Sequence, residues 1–187
     1  MPNCTMKKKI LWLLLSLVAI LLLIPQQVQN PVEGCGPSSY NHKTFWMPWG
    51  DHHHQGIDIF AKKGTPIRSA TSFGIVIAVT HEGSFGKRNL GGNTVSVLGT
   101  HGRIYYYAHM QEVKTHVGAI VTRASVLGTV GDTGNAKGKP AHCHWSIFTV
   151  FPRLEHWVPS EKRTKTDDLF KMFIVNPIEA LEGNQIW

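Results

Sequence analysis

Short runs of apolar and β-branched residues, separated by glycine-containing segments, fill the middle of the chain and predict β-strands. The predicted strands are residues 74–79, 93–98, 103–109, 117–121 and 125–130. The Gly-Thr-His-Gly segment at 99–102 is typical of a turn, and it would join the second and third of these strands as a hairpin. Closely spaced short strands with little helical periodicity favour an all-β fold, an antiparallel sandwich or barrel.

The longest apolar run lies near the N-terminus and predicts a hydrophobic helix. It extends from Ile10 to Ile24, is interrupted only by Ser16, and stands between Lys7-Lys8-Lys9 and Pro25. Such a run is short for a membrane span of about 20 residues and long for a signal-peptide core. Because no small-x-small cleavage site follows, we expect residues 10–24 to be a retained signal anchor inserted in the membrane. The positive-inside rule then places residues 1–9 in the cytoplasm, and a cleaved signal peptide is the alternative.

The rest of the chain predicts a linker followed by a single domain. Residues 25–40 are polar and rich in Pro, Gly, Gln and Asn, as linkers are. Residues 41–182 have the length of one domain with a C-terminal extension, whose charged part at 155–168 we interpret as a surface segment. Because the domain follows the apolar run, we expect it in the cell envelope, periplasmic or extracellular, and secreted if the N-terminus is cleaved.

The charge of the chain favours an anionic partner. The formal net charge is +7 and the sequence pI is about 9.5, so the protein is attracted to polyanions. The basic residues are scattered beyond Lys7-Lys8-Lys9, and no nucleic-acid-binding motif is present. We therefore expect the anionic cell envelope as a partner and no nucleic acid.

The three cysteines allow one possible disulfide outside the cytoplasm. Cys4 would lie on the cytoplasmic side, while Cys35 and Cys143 would lie outside, where an oxidising compartment allows them to pair. The sequence does not supply the Cα distance that a disulfide requires. Cys143 is equally well interpreted as a small buried side chain.

Two histidines two residues apart provide the first candidate chemistry. His142 and His144 flank Cys143, and the apolar residues that follow mark the start of a strand. Because side chains alternate along a strand, both histidines face one side and Cys143 faces the other. Such a pair can hold a metal together, or one histidine can hold it while the other acts on bound water.

Further candidate ligands lie upstream. His54 and Asp58 stand four residues apart around Gly56, which permits a bend, and His109 ends a third histidine-bearing segment. A catalytic zinc takes three nitrogen or oxygen ligands and keeps one open, water-filled position. His54, Asp58 and one histidine of the 142/144 pair would complete such a set.

Five motifs in one order give the chain a resemblance to lysostaphin/LytM-type zinc metallopeptidases, which cut peptide bonds in bacterial peptidoglycan. The family pattern is His-x-Gly-x-Asp, Gly-Thr-Pro-(Ile/Val)-x-x-Ala, Tyr-x-His, Gly-x-x-Gly-x-Thr-Gly and His-x-His. The corresponding segments here are residues 54–58, 64–70, 107–109, 128–134 and 142–144. The resemblance covers about residues 41–180 and implies an antiparallel fold of the duplicated hybrid motif type.

The resemblance also implies a role for each site residue. One Zn²⁺ per chain would be held by His54, Asp58 and His144, and catalytic roles fall to His109 and His142. One catalytic histidine would orient or deprotonate the attacking water. The other would stabilise charge on the carbonyl oxygen or protonate the leaving amine, and which histidine does which is open.

The chain departs from the family pattern at two positions outside the site. Cys143 stands where the family often has Leu, and Ala124 stands where it often has Gly. His52 and His53 precede the first motif, and we interpret both as loop histidines. These differences leave all five site residues in place.

The resulting hypothesis is a zinc metalloendopeptidase that acts on peptidoglycan peptides. One alternative is a non-catalytic cell-wall-binding or regulatory relative, although such relatives usually lack a ligand. Another is a structural zinc site, but those are closed, four-liganded and usually contain cysteine. Neither the peptide bond that is cut nor a protein regulator can be identified from the sequence.

Overall fold

The computed structural model describes residues 4–23, 27–84, 86 and 89–183. Its α-helices are α1 (Cys4–Leu23) and α2 (Pro177–Leu181). Its strands are β1 (Pro48–Trp49), β2 (His52–His53), β3 (Ile57–Phe60), β4 (Pro66–Arg68), β5 (Gly74–Thr80), β6 (Asn93–Gly99), β7 (Arg103–Val113), β8 (Ile120–Val121), β9 (Val126–Val130), β10 (His142–Thr149) and β11 (Ile174–Val175). The predicted strands in the middle of the chain are therefore present, with shifted ends.

Nine of the eleven described strands form one branched antiparallel sheet. Its main order is β11-β10-β7-β6-β5-β8, while β3 pairs with β10 and β9 pairs with both β4 and β7. Strands β1 and β2 form a separate hairpin. The mostly β, antiparallel character is thus confirmed. The finer prediction of a sandwich or barrel is not, because the described part of the sheet ends at β11 and β8 without closing.

Strand β7 connects the two parts of this sheet. Its residues 104–110 pair with β6 and residues 103–108 pair with β10. From Met110 onward the strand pairs with β9 instead of β10, with a register shift between Met110 and Glu112. His109 lies at this change of partner with a φ of 62°, a conformation uncommon in non-glycine residues. The local bend therefore sets the direction of the His109 side chain.

Strand β10 lies between β7 on one side and β3 and β11 on the other, and it shows the predicted alternation. Cys143, Trp145 and Ile147 are fully buried in the hydrophobic core. Burial of large apolar side chains contributes about 1.5–3 kcal/mol each, so the core face anchors the strand firmly. The opposite face, which carries His142 and His144, is thereby held in one orientation.

The segment interpreted as a linker contacts the sheet. Val32 is 1% exposed and forms an antiparallel β-bridge with Ile67. The side-chain amide of Gln29 donates to the carbonyl oxygens of Ser69 and Arg123, at 3.0 and 2.9 Å. These contacts attach the chain to the domain before its first strand.

The two cysteines that follow the N-terminal helix do not form a disulfide. Cys35 is partly exposed and Cys143 is buried, and both are free thiols. Burial raises the pKa of the Cys143 thiol well above its ordinary value. Cys143 therefore serves as a small core side chain, one of the two interpretations that its sequence position allowed.

Helix α1 contains most of the apolar run that predicted a signal anchor. The helix includes residues 10–23 of that run. Among the residues that the structure describes, no helix is both long and apolar enough to cross a membrane. The predicted membrane span is therefore not supported. Residues 1–3 and 24–26, which belong to the predicted tail, anchor and linker, lie outside the described residues.

Candidate metal centre

Three potential metal ligands meet at one point on the sheet. Nε2 of His54 lies 3.2 Å from Oδ1 of Asp58 and 3.1 Å from Nδ1 of His144. Nδ1 of His144 lies 2.9 Å from the same Asp58 oxygen. Two imidazole nitrogens and one carboxylate oxygen thus converge, which is a donor set that catalytic zinc sites use.

Strand register brings two of these ligands together. Asp58 in β3 and His144 in β10 are direct partners in an antiparallel pair. The Cβ atoms of such partners lie about 4.5–5.5 Å apart when they share a face. His144 is also the partner of Ala108 in β7, so His109 follows immediately beside the pair.

His54 reaches the same point from the loop before β3. Its backbone nitrogen donates to the carbonyl oxygen of Met47, and its own carbonyl oxygen accepts from the backbone nitrogen of Trp46, both at 2.8 Å. Nδ1 of its ring donates to the carbonyl oxygen of Thr44 at 3.1 Å. Because Nδ1 is occupied by this hydrogen bond, Nε2 is the ring nitrogen that faces the other two potential ligands.

Gly56 allows the chain to turn between His54 and Asp58 close to β10. A Cβ atom at this position would overlap the carbonyl group of Trp145 and the hydroxyl of Ser146. Glycine is the residue that permits such a close approach of two backbones. The glycine in the first motif is therefore a steric requirement of the site.

His109 and His142 form a second pair beside the three potential ligands. Their ring centroids are 4.9 Å apart, and Nε2 of His142 lies 3.8 Å from Oδ1 of Asp58. Nδ1 of His109 donates to the carbonyl oxygen of Thr133 at 2.9 Å, and Nδ1 of His142 donates to that of Pro140 at 2.8 Å. Each ring is thereby oriented, and its Nε2 is the nitrogen that can accept a proton.

Burial and neighbouring groups set the protonation states in the site. Burial, together with the nearby His144 and His142, lowers the pKa of His109 to about 4. Burial also lowers the pKa of His144. For His54, burial lowers the pKa, but the hydrogen bond to Asp58 outweighs it and the net shift is upward. Burial alone would raise the pKa of Asp58, but the hydrogen bonds from His144 and His54 hold it well below its ordinary value. Near neutral pH His109 is therefore neutral and Asp58 is ionised, the states that a proton acceptor and a metal ligand need.

All five predicted site residues line a single cleft of about 490 Å³. Trp49, Phe60, Tyr106 and Lys139 contribute to its other walls. Clefts of this volume commonly bind small ligands or short peptide segments. The structure thus assembles in one place residues that are separated by as many as 90 positions in the sequence.

Most of this cleft lies within the part of the chain that matches a known protein family. Residues 52–154, more than half of the chain, match the model of Peptidase family M23. The chain belongs to peptidase family M23. The resemblance to lysostaphin/LytM-type peptidases is therefore confirmed, and all five site residues lie inside the matched range.

Individual relatives of this M23 peptidase include both a sequence match and solved structures. The L-Ala--D-Glu endopeptidase of Bacillus subtilis is 29% identical over 151 residues, which cover 68% of this chain and 44% of that protein. The chain thus spans less than half the length of this curated relative. The catalytic domain of lysostaphin from Staphylococcus simulans has a TM-score of 0.52 at 20% identity, covering 72% of this chain and 85% of that one. A Ruminococcus gnavus protein assigned as the glycyl-glycine endopeptidase LytM has a TM-score of 0.53 at 24% identity, covering 79% and 55%. At these identities the two structures show a shared fold.

The donor atoms of this M23 peptidase fit a zinc ion. Ligand atoms at about 2.0–2.2 Å from a tetrahedral zinc lie about 3.3–3.6 Å from one another, close to the spacing found here. The three donor atoms here are between 2.9 and 3.2 Å apart. Three protein ligands leave a fourth position for water, which is the pattern of catalytic zinc sites.

Several residues that orient the M23 site were not predicted from the sequence. Oγ of Ser146 lies 3.0 Å from Nε2 of His144. Strand alternation could have identified Ser146, because it stands two residues after His144 and faces the same side. Thr44, Thr133 and Pro140 act through backbone carbonyls. Every residue type has such a carbonyl, so no sequence signal marks them.

A second group of potential ligands lies next to the first. His53, interpreted as a loop histidine, is instead buried in β2 and lies against the buried carboxylates of Asp167 and Asp168. Oδ2 of Asp168 accepts hydrogen bonds from the backbone nitrogens of Thr164 and Lys165, at 2.6 and 2.9 Å. The segment predicted to lie on the surface therefore ends in two buried acidic residues, whose oxygens accept hydrogen bonds from the protein itself.

Proposed function

We propose that this M23 peptidase is a zinc metalloendopeptidase that hydrolyses peptide bonds in bacterial peptidoglycan. The observation that carries the proposal is the convergence of three metal-binding side chains beside the His109–His142 pair in one cleft. The Bacillus subtilis relative is named for cleaving a bond to a D-amino acid, and such residues occur in peptidoglycan stem peptides. That name supports a substrate of the same class here.

In this proposal His54, Asp58 and His144 hold the zinc. When bound, zinc supplies Lewis acidity that acidifies a water molecule and polarises the scissile carbonyl. The carbonyls that hold Nδ1 of His109 and His142 keep both rings fixed, so one Nε2 atom can take the proton of the attacking water. An imidazole protonated at Nε2 can then stabilise charge on the carbonyl oxygen or protonate the leaving amine.

The alternative function is that of a non-catalytic relative, which binds the cell wall or regulates other proteins without cleaving a peptide bond. It would be favoured by the loss of a ligand or of a catalytic histidine. All three ligands and both histidines are present in the cleft. The geometry therefore favours an enzyme.

Digestion of purified peptidoglycan with this protein should release new amine termini and no new reducing sugar ends. The described residues that line the cleft include one carboxylate, Asp58, whereas glycoside hydrolysis ordinarily uses two. Mass spectrometry of the products and a reducing-sugar assay make the measurement. A metal chelator should stop the release, and added zinc should restore it. New reducing ends without new amines would contradict the proposal.

We further propose that the domain acts in the cell envelope, outside the cytoplasmic membrane, because its proposed substrate lies there. Protease added to cells with opened outer barriers should then digest the domain and leave a cytoplasmic marker protein intact. Protection of the domain together with the marker would contradict this location.

A further inference from the structure

The segment after β10 returns to the loop that carries His54, although it lies beyond the residues matched by the family. The family match ends at residue 154, and the following residues form short 3₁₀ turns before β11. Both the backbone nitrogen and the hydroxyl of Thr166 donate to the carbonyl oxygen of Asp51, each at 3.0 Å. These contacts bring Asp167 against the hairpin formed by β1 and β2.

Asp167 uses its carboxylate to hold the residues on both sides of His54. Its Oδ2 accepts from the backbone nitrogen of His53 and from the side-chain amide of Gln55, both at 2.8 Å. Its Oδ1 accepts from Nδ1 of His53 at 2.9 Å. Asp167 is only 6% exposed, so these three hydrogen bonds are shielded from solvent.

The same short stretch is held from the other side by the aromatic segment before β1. The ring of His53 stacks on that of Trp46, with centroids 4.6 Å apart and planes 11° from parallel. The backbone of Trp46 also bonds to that of His54. His54 is therefore fixed between Trp46 on one side and the Asp167 carboxylate, acting through its two neighbours, on the other.

We propose that Asp167 is a positioning residue for the metal centre, which holds His54 in its ligand geometry without touching the metal. The proposal rests on the proposed zinc site. Its physical basis is that a buried charged acceptor with three donors resists displacement more strongly than neutral backbone contacts do. Groups that orient metal ligands typically change metal affinity by about 10–100-fold when they are removed. The C-terminal segment would then be part of the site, although it lies outside the matched family region.

The test compares zinc affinity in Asp167→Asn and in a control variant, Glu155→Gln. Both changes remove one negative charge from the same segment. Glu155 is exposed, and its Oε1 lies 3.0 Å from Nε of Arg153 and 4.0 Å from Nε2 of His156. Zinc dissociation constants are measured by competition with a chromogenic chelator, and Co²⁺ absorption spectra report the ligand geometry. Thermal unfolding of the metal-free proteins measures any loss of stability separately.

Asp167→Asn is expected to weaken zinc binding by about 10–100-fold and to alter the Co²⁺ spectrum. Glu155→Gln should match the wild type in both. Zinc affinity and a Co²⁺ spectrum equal to those of the wild type, with a loss of thermal stability alone, would overturn the proposal.

If Asp167→Asn does not fold, Gln55→Ala decides the question, because it deletes one of the three hydrogen bonds. A several-fold loss of zinc affinity in Gln55→Ala supports the positioning role, and an unchanged affinity overturns it. The wild-type titration is made first. A wild-type protein that binds no zinc overturns the proposed function itself, which distinguishes that failure from a failure of Asp167.

Discussion

Replacing His144 by alanine is expected to abolish zinc binding and peptidase activity together. His144 provides Nδ1 at 2.9 Å from Asp58 and 3.1 Å from His54, so its loss leaves two ligands of three. It also removes a hydrogen bond that keeps Asp58 ionised. Enzymes accelerate reactions by about 10⁶-fold or more, so loss of the metal should lower activity by at least about four powers of ten. The same outcome is expected for His54→Ala and Asp58→Ala.

Metal analysis beside a turnover assay on each purified variant makes this measurement. His116→Ala is a matched control, because His116 is exposed and does not line the cleft. It should keep one zinc per chain and full activity. A His144→Ala protein that retains stoichiometric zinc would show that the ligand set is wrong.

Alanine in place of His109 or His142 should leave zinc bound and still lower turnover. These variants should keep near-stoichiometric zinc, because the three donor atoms that converge belong to other residues. Their activity should fall by about 10²–10⁴, the usual scale for the loss of a positioned acid–base group. The contrast is informative because His142 and His144 share one face of β10.

Backbone strain calls for a second variant at His109. Its φ of 62° is a conformation that asparagine tolerates better than alanine, so His109→Asn separates loss of the imidazole from loss of the bend. His109→Ala and His109→Asn should be equally inactive, and both should bind zinc.

The assignment of the two histidines of β10 has its own contrary outcome. Zinc lost from His142→Ala but retained by His144→Ala would mean that the roles of these two histidines are reversed.

Much of the β-structure was predictable because strands leave a local signal. Alternation placed Cys143 in the core and His142 and His144 on the opposite face, as the structure has them. The closure of the sheet was not predictable in the same way. Closure depends on which strand edges of the sheet remain unpaired. Here β7 pairs with β10 up to Ala108 and with β9 from Met110, and no local pattern marks this change of partner.

The N-terminal helix was predictable from its apolar run. An apolar run next to lysines predicted a membrane anchor, and within the described residues the helix that forms is not long and apolar enough to span a bilayer.

The sequence by itself, with the family resemblance that its motifs carry, was enough to predict the residues of the candidate site. His54, Asp58, His109, His142 and His144 were identified by residue type, spacing and motif order, all of which are properties of the linear chain. Their arrangement was decided by the tertiary structure. The register that pairs Asp58 with His144 and the contact that brings Asp167 to His53 join residues 86 and 114 positions apart. Such contacts depend on which segments meet when the core forms. The backbone carbonyls and buried carboxylates that make these contacts have no sequence signal of their own. The physical reason is that periodicity encodes which face of a strand is buried, whereas register and long-range partners follow from the packing of the whole chain.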